Sequence, residues 1–194
     1  MEKISYALGL SLGNNLLSSG IKSIEFSKFT QGIQDVLEHR QSEMSDEEAQ
    51  TVINQFFEEL QKVSSAAVIA EGKTFLKENE KRAEVVTLPS GLQYEVLKQG
   101  TGATPKSDDR VKVHYHGQLL DGTVFDSSVR RGEPATFGVT QVISGWVEAL
   151  QIMPTGSKWK LFIPSDLAYG AQGAGQSIAP HSTLIFEVEL LDIL

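Results

Sequence analysis

The sequence predicts an α+β protein with two parts: an all-α N-terminal dimerisation domain and a C-terminal antiparallel sheet that curves over one short helix. The strongest observation is the distribution of proline, because all six prolines lie at Pro89 or beyond. Glycine is distributed in the same way, with five of its 17 copies before residue 89. Apolar residues recur every four positions in the first part and every second position in the second part, the periods of helices and of strands. The predicted domains are residues 1–87 and 88–194.

Charge and composition exclude several classes of function. The net charge of −8 opposes binding to phosphate backbones, so no nucleic-acid partner is expected. Hydrophobic residues make up 40% of the chain, which is typical of a folded protein rather than a disordered one. The sequence has no cysteine, which excludes disulfides, thiolate nucleophiles and cysteine-ligated metals.

The sequence shows neither a secretion signal nor a membrane-spanning segment. The first residues, Met1 to Gly9, lack the basic segment, the uninterrupted apolar segment and the small-residue cleavage site of a secretion signal. No apolar run approaches the ~20 residues that cross a bilayer. These observations favour a cytoplasmic location, with a periplasmic or surface location as the alternative if the chain is a trimmed mature form.

Two apolar stripes predict two helices at the start of the chain. The first stripe predicts a helix that ends by Gly20, and Gly9 and Gly13 give that helix a face that another helix could approach closely. The second predicts a helix that starts near Phe26 and ends before Arg40. The residues of the first stripe are Ile4, Leu8, Leu12 and Leu16.

A third, much longer helix is predicted from Asp46 to Val86. Ser45 and Glu48 have the spacing of a capping box, which marks its start. At 1.5 Å per residue it would be roughly 60 Å long, too long to bury its apolar stripe within so small a protein. We therefore expect a homodimer formed through residues 1–87, and a helical hairpin that folds back within one chain is the alternative.

Alternating apolar residues after Pro89 predict the strands of the second part. Val111, Val113 and Tyr115 share one face of such a strand, and Asp121-Gly122 predicts a tight hairpin turn. A short helix carrying Trp146 is expected over Val142–Ile152. Further strands are predicted at 92–97, 159–163 and 183–190.

Candidate chemistry is sparse in this second part. His114 and His116 share one face of a strand and could begin a metal site, but no third ligand has a recognisable spacing, so solvent-facing histidines are favoured. No nucleophile elbow or catalytic triad is visible, and we expect neither a metal nor a cofactor. What stands out is a high density of aromatic residues, with Asp126 directly after Phe125.

Several segments in sequence order resemble an FKBP-type peptidyl-prolyl cis-trans isomerase over residues 88–194. They are Val113-His114-Tyr115-His116-Gly117, residues 120–128 from Leu120 to Ser128, Val142-Ile143-Ser144-Gly145-Trp146, Ala168-Tyr169-Gly170, and residues 184–191. The opening Ile4-Ser5-Tyr6-Ala7-Leu8-Gly9 and the long third helix resemble the dimeric bacterial branch of this family, the Mip-like and FkpA-like proteins.

The resemblance implies an apolar pocket with Trp146 as its floor. Catalytic roles would fall to Tyr115, Phe125, Asp126 and Tyr169, and substrate would also meet Arg131, Val142, Ile143, Trp146, Ser177, Ile178 and Phe186. The Ile143 backbone N–H and the Tyr169 hydroxyl would donate hydrogen bonds to substrate carbonyls, and Arg131 would support Asp126. The sequence departs from the family pattern at Ala135, Ala174 and Ser177, where bulkier or different side chains are frequent.

The same resemblance implies the activity and its partners. The protein would accelerate rotation of X-Pro bonds in folding polypeptides, with chaperone activity from the dimer. The alternative is a catalytically weak, proline-binding chaperone or interaction module. Its substrates would be unfolded chains or peptides that contain proline, and macrolide inhibitors of the tacrolimus and rapamycin type would compete for the pocket.

Overall fold

The computed structural model describes residues 1–194, which form two compact units, Met1–Val63 and Ser64–Leu194. The first unit contains α1 (Glu2–Ser18), α2 (Phe26–Leu37) and the start of α3 (Asp46–Asn79). The helices predicted at the start of the chain are therefore confirmed. The Ser45 and Glu48 capping box is present, since Glu48 Oε2 accepts from the Ser45 backbone N–H at 2.8 Å and Ser45 Oγ accepts from the Glu48 N–H at 3.2 Å.

Apolar side chains in the first unit are not buried within one chain. Every buried hydrophobic residue of the protein lies at Leu92 or later. On α1, Leu8 is 58% exposed, and a Cβ at Gly9 or Gly13 would meet no atom within 4 Å. The stripes predicted from the sequence are therefore present and unpaired in the single chain.

The predicted end of the long helix at Val86 is wrong. Helix α3 ends at Asn79, and β1 (Val85–Thr87) follows after a turn. The Asn79 side chain is buried, and its amide donates to Gln93 Oε1 at 2.9 Å, which fixes the end of the helix on the sheet. Residues 85–87 pair with residues 93–95 as antiparallel strands, so the end of the predicted helix is strand in the structure.

The last four turns of α3 belong to the second compact unit. Phe75 packs against Phe162 with ring centroids 5.9 Å apart, and Gln93 Nε2 donates to the Leu76 carbonyl at 2.9 Å. Gly72 is buried against Thr183. The compact units therefore divide within α3, upstream of the boundary at 87 and 88 that proline and glycine had indicated.

Besides the last turns of α3, the second unit contains an antiparallel sheet, one helix of two turns and one of a single turn, so the predicted α+β class is confirmed. The order of the strands is β1-β2-β6-β7-β3-β4, and β5 also pairs with β3. The remaining elements are β2 (Gln93–Lys98), β3 (Arg110–Gln118), β4 (Val124–Ser127), α4 (Ser128–Arg131), β5 (Ala135–Gly138), α5 (Ser144–Leu150), β6 (Lys158–Ile163) and β7 (Leu184–Ile193).

Strand β3 positions the interior of this unit. Val111, Val113 and Tyr115 alternate inward as predicted, with exposures of 0%, 0% and 7%. The turn at Asp121-Gly122 is also present, with Gly122 at φ 85°. The sequence did not predict the one-turn helix α4 or the strand β5. None of the helices combines the length and the apolar content needed to span a membrane.

Candidate functional site

A cavity of about 430 Å³ opens between the sheet and the N-terminal end of α5. It contains eight of the eleven site residues implied by the resemblance. The residues that line it are Tyr115, Phe125, Asp126, Phe137, Gln141, Val142, Ile143, Trp146, Tyr169 and Phe186. Its wall is largely aromatic, which suits an apolar ring rather than a charged ligand.

Trp146 lines this cavity, and three aromatic rings pack against it edge-to-face. The centroids of Tyr115, Phe137 and Phe186 lie 5.5, 6.0 and 5.3 Å from that of Trp146, at interplanar angles of 81°, 89° and 82°. Edge-to-face packing is a favourable arrangement for aromatic pairs. The indole is therefore fixed in one orientation, and its own exposure is 4%.

Gly117 on β3 leaves the space in which the rings of Phe125 and Phe186 pack together. A Cβ at this position would lie 2.6 Å from Phe186 Cε1 and 2.7 Å from Phe125 Cε2. Those two rings pack edge-to-face at 5.4 Å. A side chain at Gly117 would displace them, so the absence of one sets the shape of the cavity.

One side of the cavity carries a polar group of three residues. The Tyr115 hydroxyl donates to Asp126 Oδ2 at 2.5 Å, Arg131 donates to Asp126 Oδ1, and Arg131 Nη2 donates to the Tyr115 hydroxyl at 2.8 Å. Each carboxylate oxygen thus accepts a hydrogen bond from a side chain.

The ionisation of this group follows from its contacts. Burial is the largest influence on Asp126 and raises its pKa, but the hydrogen bonds from Tyr115 and Arg131 outweigh it and lower the pKa overall. Burial, followed by the hydrogen bond to Asp126, raises the pKa of Tyr115. Asp126 is therefore charged and Tyr115 neutral near pH 7.

Two hydrogen-bond donors at the mouth of the cavity have no partner in the protein. The backbone N–H of Ile143, the residue before α5, makes no hydrogen bond within the chain, and neither does the Tyr169 hydroxyl. Tyr169 is 40% exposed. These are the two donors that the resemblance assigned to substrate carbonyls.

Three residues of the predicted site lie outside the cavity lining. Arg131 reaches the site only through Asp126 and Tyr115. Ser177 is exposed, and Ile178 is 6% exposed and packs in the hydrophobic core. The structure therefore gives Ser177 and Ile178 no contact with the cavity.

Phe137 and Gln141 line the cavity but were not among the predicted site residues. Ala135 and Phe137 share a face of β5, so Phe137 could have been found from that two-residue spacing had β5 been recognised. Gln141 has no such signal, since it lies in the turn before α5.

The two histidines on β3 face serine side chains rather than open solvent. His114 Nδ1 lies 3.1 Å from Ser128 Oγ, and His116 Nδ1 lies 3.0 Å from Ser127 Oγ. Both imidazoles are half-buried, which differs from the solvent-facing position expected from the sequence. No group of three or more histidine or carboxylate side chains is placed to hold a metal ion.

Two known protein families together match nearly the whole chain. Residues 101–191 match the family described as FKBP-type peptidyl-prolyl cis-trans isomerase. Residues 1–96 match the family described as the domain amino-terminal to FKBP-type peptidyl-prolyl isomerase. Only residues 97–100 lie between the two matches.

Individual relatives match over the same length. The FKBP-type 22 kDa peptidyl-prolyl cis-trans isomerase of Escherichia coli (strain K12) is 50% identical, over 98% of this chain and 94% of the relative. The outer membrane protein MIP of Legionella longbeachae is 43% identical, over 99% and 85%. The crystal structure of FkpA from Escherichia coli matches with a TM-score of 0.79 at 38% identity, over 98% of this chain and 95% of that chain.

Proposed function

The chain belongs to the FKBP-type peptidyl-prolyl cis-trans isomerases, and on that premise we propose that the cavity above Trp146 is where it turns X-Pro bonds. The observation that carries this proposal is the combination of an aromatic cavity with two free donors at its mouth, Ile143 N–H and the Tyr169 hydroxyl. The proline ring would lie on Trp146, and the donors would hold the flanking carbonyls.

An apolar cavity of this kind can catalyse the rotation without breaking a bond. The barrier to rotation is about 20 kcal/mol, because twisting the bond removes amide resonance. The planar amide carries separated charge on oxygen and nitrogen, and the twisted amide carries less. Transfer from water into an aromatic cavity therefore disfavours the planar ground state more than the transition state. Each tenfold gain in rate needs about 1.4 kcal/mol of such discrimination.

The polar group of Tyr115, Asp126 and Arg131 would keep the cavity in shape without breaking or forming a bond in the substrate. Asp126 binds Tyr115 and Arg131 at once, so it fixes two side chains on one side of the proline ring. Phe125, Val142 and Phe186 would complete the walls. Ser177 and Ile178 remain proposed substrate contacts only for peptides that extend beyond the cavity.

An exchange assay on a short X-Pro peptide tests this assignment. We expect Asp126→Ala to lower kcat/KM about tenfold, because it releases Tyr115 and Arg131 together. The matched control is Asp108→Ala, at an exposed turn residue with no place in the cavity, which should isomerise the peptide as the wild type does. Equal activity of the Asp126 and Asp108 variants would contradict the proposed site.

We further propose that residues 1–87 hold two chains together as a homodimer. The first unit has no buried apolar side chain of its own, and a unit of 63 residues without a core does not stay folded alone. A second copy of the chain offers matching apolar stripes, and the open surface at Gly9 and Gly13 would allow a close helix contact. The division at residue 87 stays a proposal for the end of this dimerisation segment.

Sedimentation of a charge variant tests the dimer. Leu8→Glu places a carboxylate in the exposed stripe of α1 and should give a monomer that still acts on short peptides. Lys3→Glu, at an exposed polar position of the same helix, is the control and should sediment like the wild type. A wild-type chain that sediments as a monomer would refute the dimer.

A chaperone function is the proposed companion activity of the dimer, since two cavities would then be offered to one unfolded chain. Refolding of a client whose folding is not limited by proline isomerisation separates the two activities. Protection of that client by the full chain, retained in Asp126→Ala, would support chaperone action. Loss of protection with the loss of isomerase activity would refute it.

Ligand class and compartment remain proposals. Macrolides of the tacrolimus and rapamycin type would occupy the cavity, so they should compete with peptide and change the fluorescence of Trp146, which lines the cavity. The cytoplasmic location predicted from the first residues has no support among the relatives, one of which is named an outer membrane protein. Cell fractionation decides between the cytoplasm and the periplasmic or surface alternative.

A further inference from the structure

One edge of β3 has a gap in its strand pairing at Tyr115, whose hydroxyl binds Asp126 in the cavity. Along one edge of β3, residues 110–113 pair with β5 and residues 116–118 pair with β4. His114 and Tyr115 lie between these two ladders and have no strand partner on that edge. Unpaired backbone groups in a buried strand are costly, so another group must satisfy them.

The Ser128 side chain fills this gap. Its Oγ accepts from the Tyr115 backbone N–H at 2.8 Å and lies 3.3 Å from the Tyr115 carbonyl oxygen, to which it can donate. The residue is fully buried, at 0% exposure. The Ser128 hydroxyl thus offers the Tyr115 N–H an acceptor and the Tyr115 carbonyl a donor, as a residue of a neighbouring strand would.

A hydroxyl has one proton and two lone pairs, so its third contact decides its orientation. That contact is His114 Nδ1 at 3.1 Å. When Nδ1 carries a proton it donates to Ser128 Oγ, and the serine proton is free for the Tyr115 carbonyl. Ser127 makes a related set of contacts. Its Oγ accepts from the Arg130 backbone N–H at 3.2 Å, and it lies 3.0 Å from His116 Nδ1 and 3.4 Å from the Tyr115 carbonyl oxygen, so that carbonyl has a second donor within reach.

We propose that Ser128 is a positioning residue of the isomerase site, which acts through the Tyr115 backbone with His114 orienting its hydroxyl. The backbone that Ser128 holds carries the side chain whose hydroxyl binds Asp126. Ser128 also follows Asp126 by two residues, so one short segment holds Tyr115 from both its backbone and its hydroxyl. The inference rests on the proposed function of the cavity.

A double-mutant cycle in the full chain tests it. Ser128→Ala should lower kcat/KM for a short X-Pro peptide about five- to tenfold, mainly through KM, as expected for one or two lost hydrogen bonds. In a Tyr115→Phe background, which lacks the hydroxyl, the same change should cost less than about twofold. Ser107→Ala, at an exposed serine in a turn, is the control and should change nothing.

A loss of the same factor in both backgrounds would overturn the inference, because it would show a general effect on folding rather than an effect through Tyr115. If Ser128→Ala does not fold, the half-buried His114 provides the test. His114→Ala should raise KM, and His114→Asn, which keeps a polar atom near the Nδ1 position, should restore it. Equal KM values for these two variants would also overturn the proposal.

The double-mutant cycle distinguishes failure of the role proposed for Ser128 from failure of the function proposed for the cavity. Tyr115→Phe and Asp126→Ala report on the cavity itself, and unchanged activity in both would refute the proposed function of the cavity. Lowered activity in both, together with an additive Ser128→Ala, would refute only the role of Ser128.

Discussion

Truncation within and after α3 should give two fragments of very different stability. A chain that starts at residue 64 keeps the helical turns that pack on the sheet, whereas one that starts at residue 88 loses them. The shorter fragment loses the Phe75 contact that covers Phe162, which is 2% exposed, and the hydrogen bonds that Gln93 makes to Asn79 and to the Leu76 carbonyl. It also lacks β1 and the pairing of β1 with β2.

The magnitude follows from these contacts. Re-exposure of Phe162 costs about 2 kcal/mol, and the two amide hydrogen bonds contribute about 1 kcal/mol each. The lost α3 contacts alone should therefore make the shorter fragment about 4 kcal/mol less stable, a large share of the ~5–15 kcal/mol of a typical domain, and the loss of β1 adds to this.

Guanidinium unfolding followed by the fluorescence of Trp146 and Trp159 measures the difference, since both lie in the sheet unit. The fragment 64–194 should sediment as a monomer and match the full chain on short peptides within about twofold. Free energies of unfolding within about 1 kcal/mol of each other would refute the reasoning, because the last turns of α3 would then add nothing to the sheet unit.

Three further outcomes are expected. Gly117→Ala should destabilise the protein by about 1–3 kcal/mol and raise KM, because its Cβ would press on Phe125 and Phe186; unfolding midpoints and peptide kinetics measure both. Trp146→Leu should raise KM more than it lowers kcat, since it removes the floor of the cavity, and an unchanged KM would contradict that role. Because the folded-state pKa of Asp126 is lowered, the ionised carboxylate contributes fully to folding stability above the ordinary carboxyl range of about pH 4. This stabilisation is lost as the pH falls through the lowered pKa. Activity should therefore be flat from about pH 7 to about pH 5, and an earlier decline that is absent in Asp126→Ala would contradict this.

Local patterns predicted those parts of the fold that local forces determine. The capping box at Ser45, the turn at Asp121-Gly122 and the alternation along β3 each depend on neighbours in sequence, and all three are present. The end of α3 depends instead on Asn79 meeting Gln93, 14 residues away, so helical periodicity continued the helix too far. Residues of high helix propensity gave no sign of that long-range contact.

The candidate site shows the same division. Residues that lie in the family motifs line the cavity, including Phe125, Asp126 and Trp146. The resemblance implies site roles for Ser177 and Ile178 from their position just after a segment with three glycines, residues 170–175. Such a glycine-rich segment does not fix where the side chains that follow it point. The role of Ser128 cannot be predicted from its motif, because it depends on a gap between two strands that no single stretch of sequence reveals.

The hydrogen bonds to the Asp126 carboxylate have a consequence for the chemistry. Each of its oxygens accepts one, and the cavity is lined by no second carboxylate and no imidazole. Because its pKa is lowered, Asp126 is a weak base and is poorly suited to take a proton from a bound peptide. The catalysed rotation should proceed at nearly the same rate in heavy water as in ordinary water, as it would for an enzyme that works by shape and polarity alone.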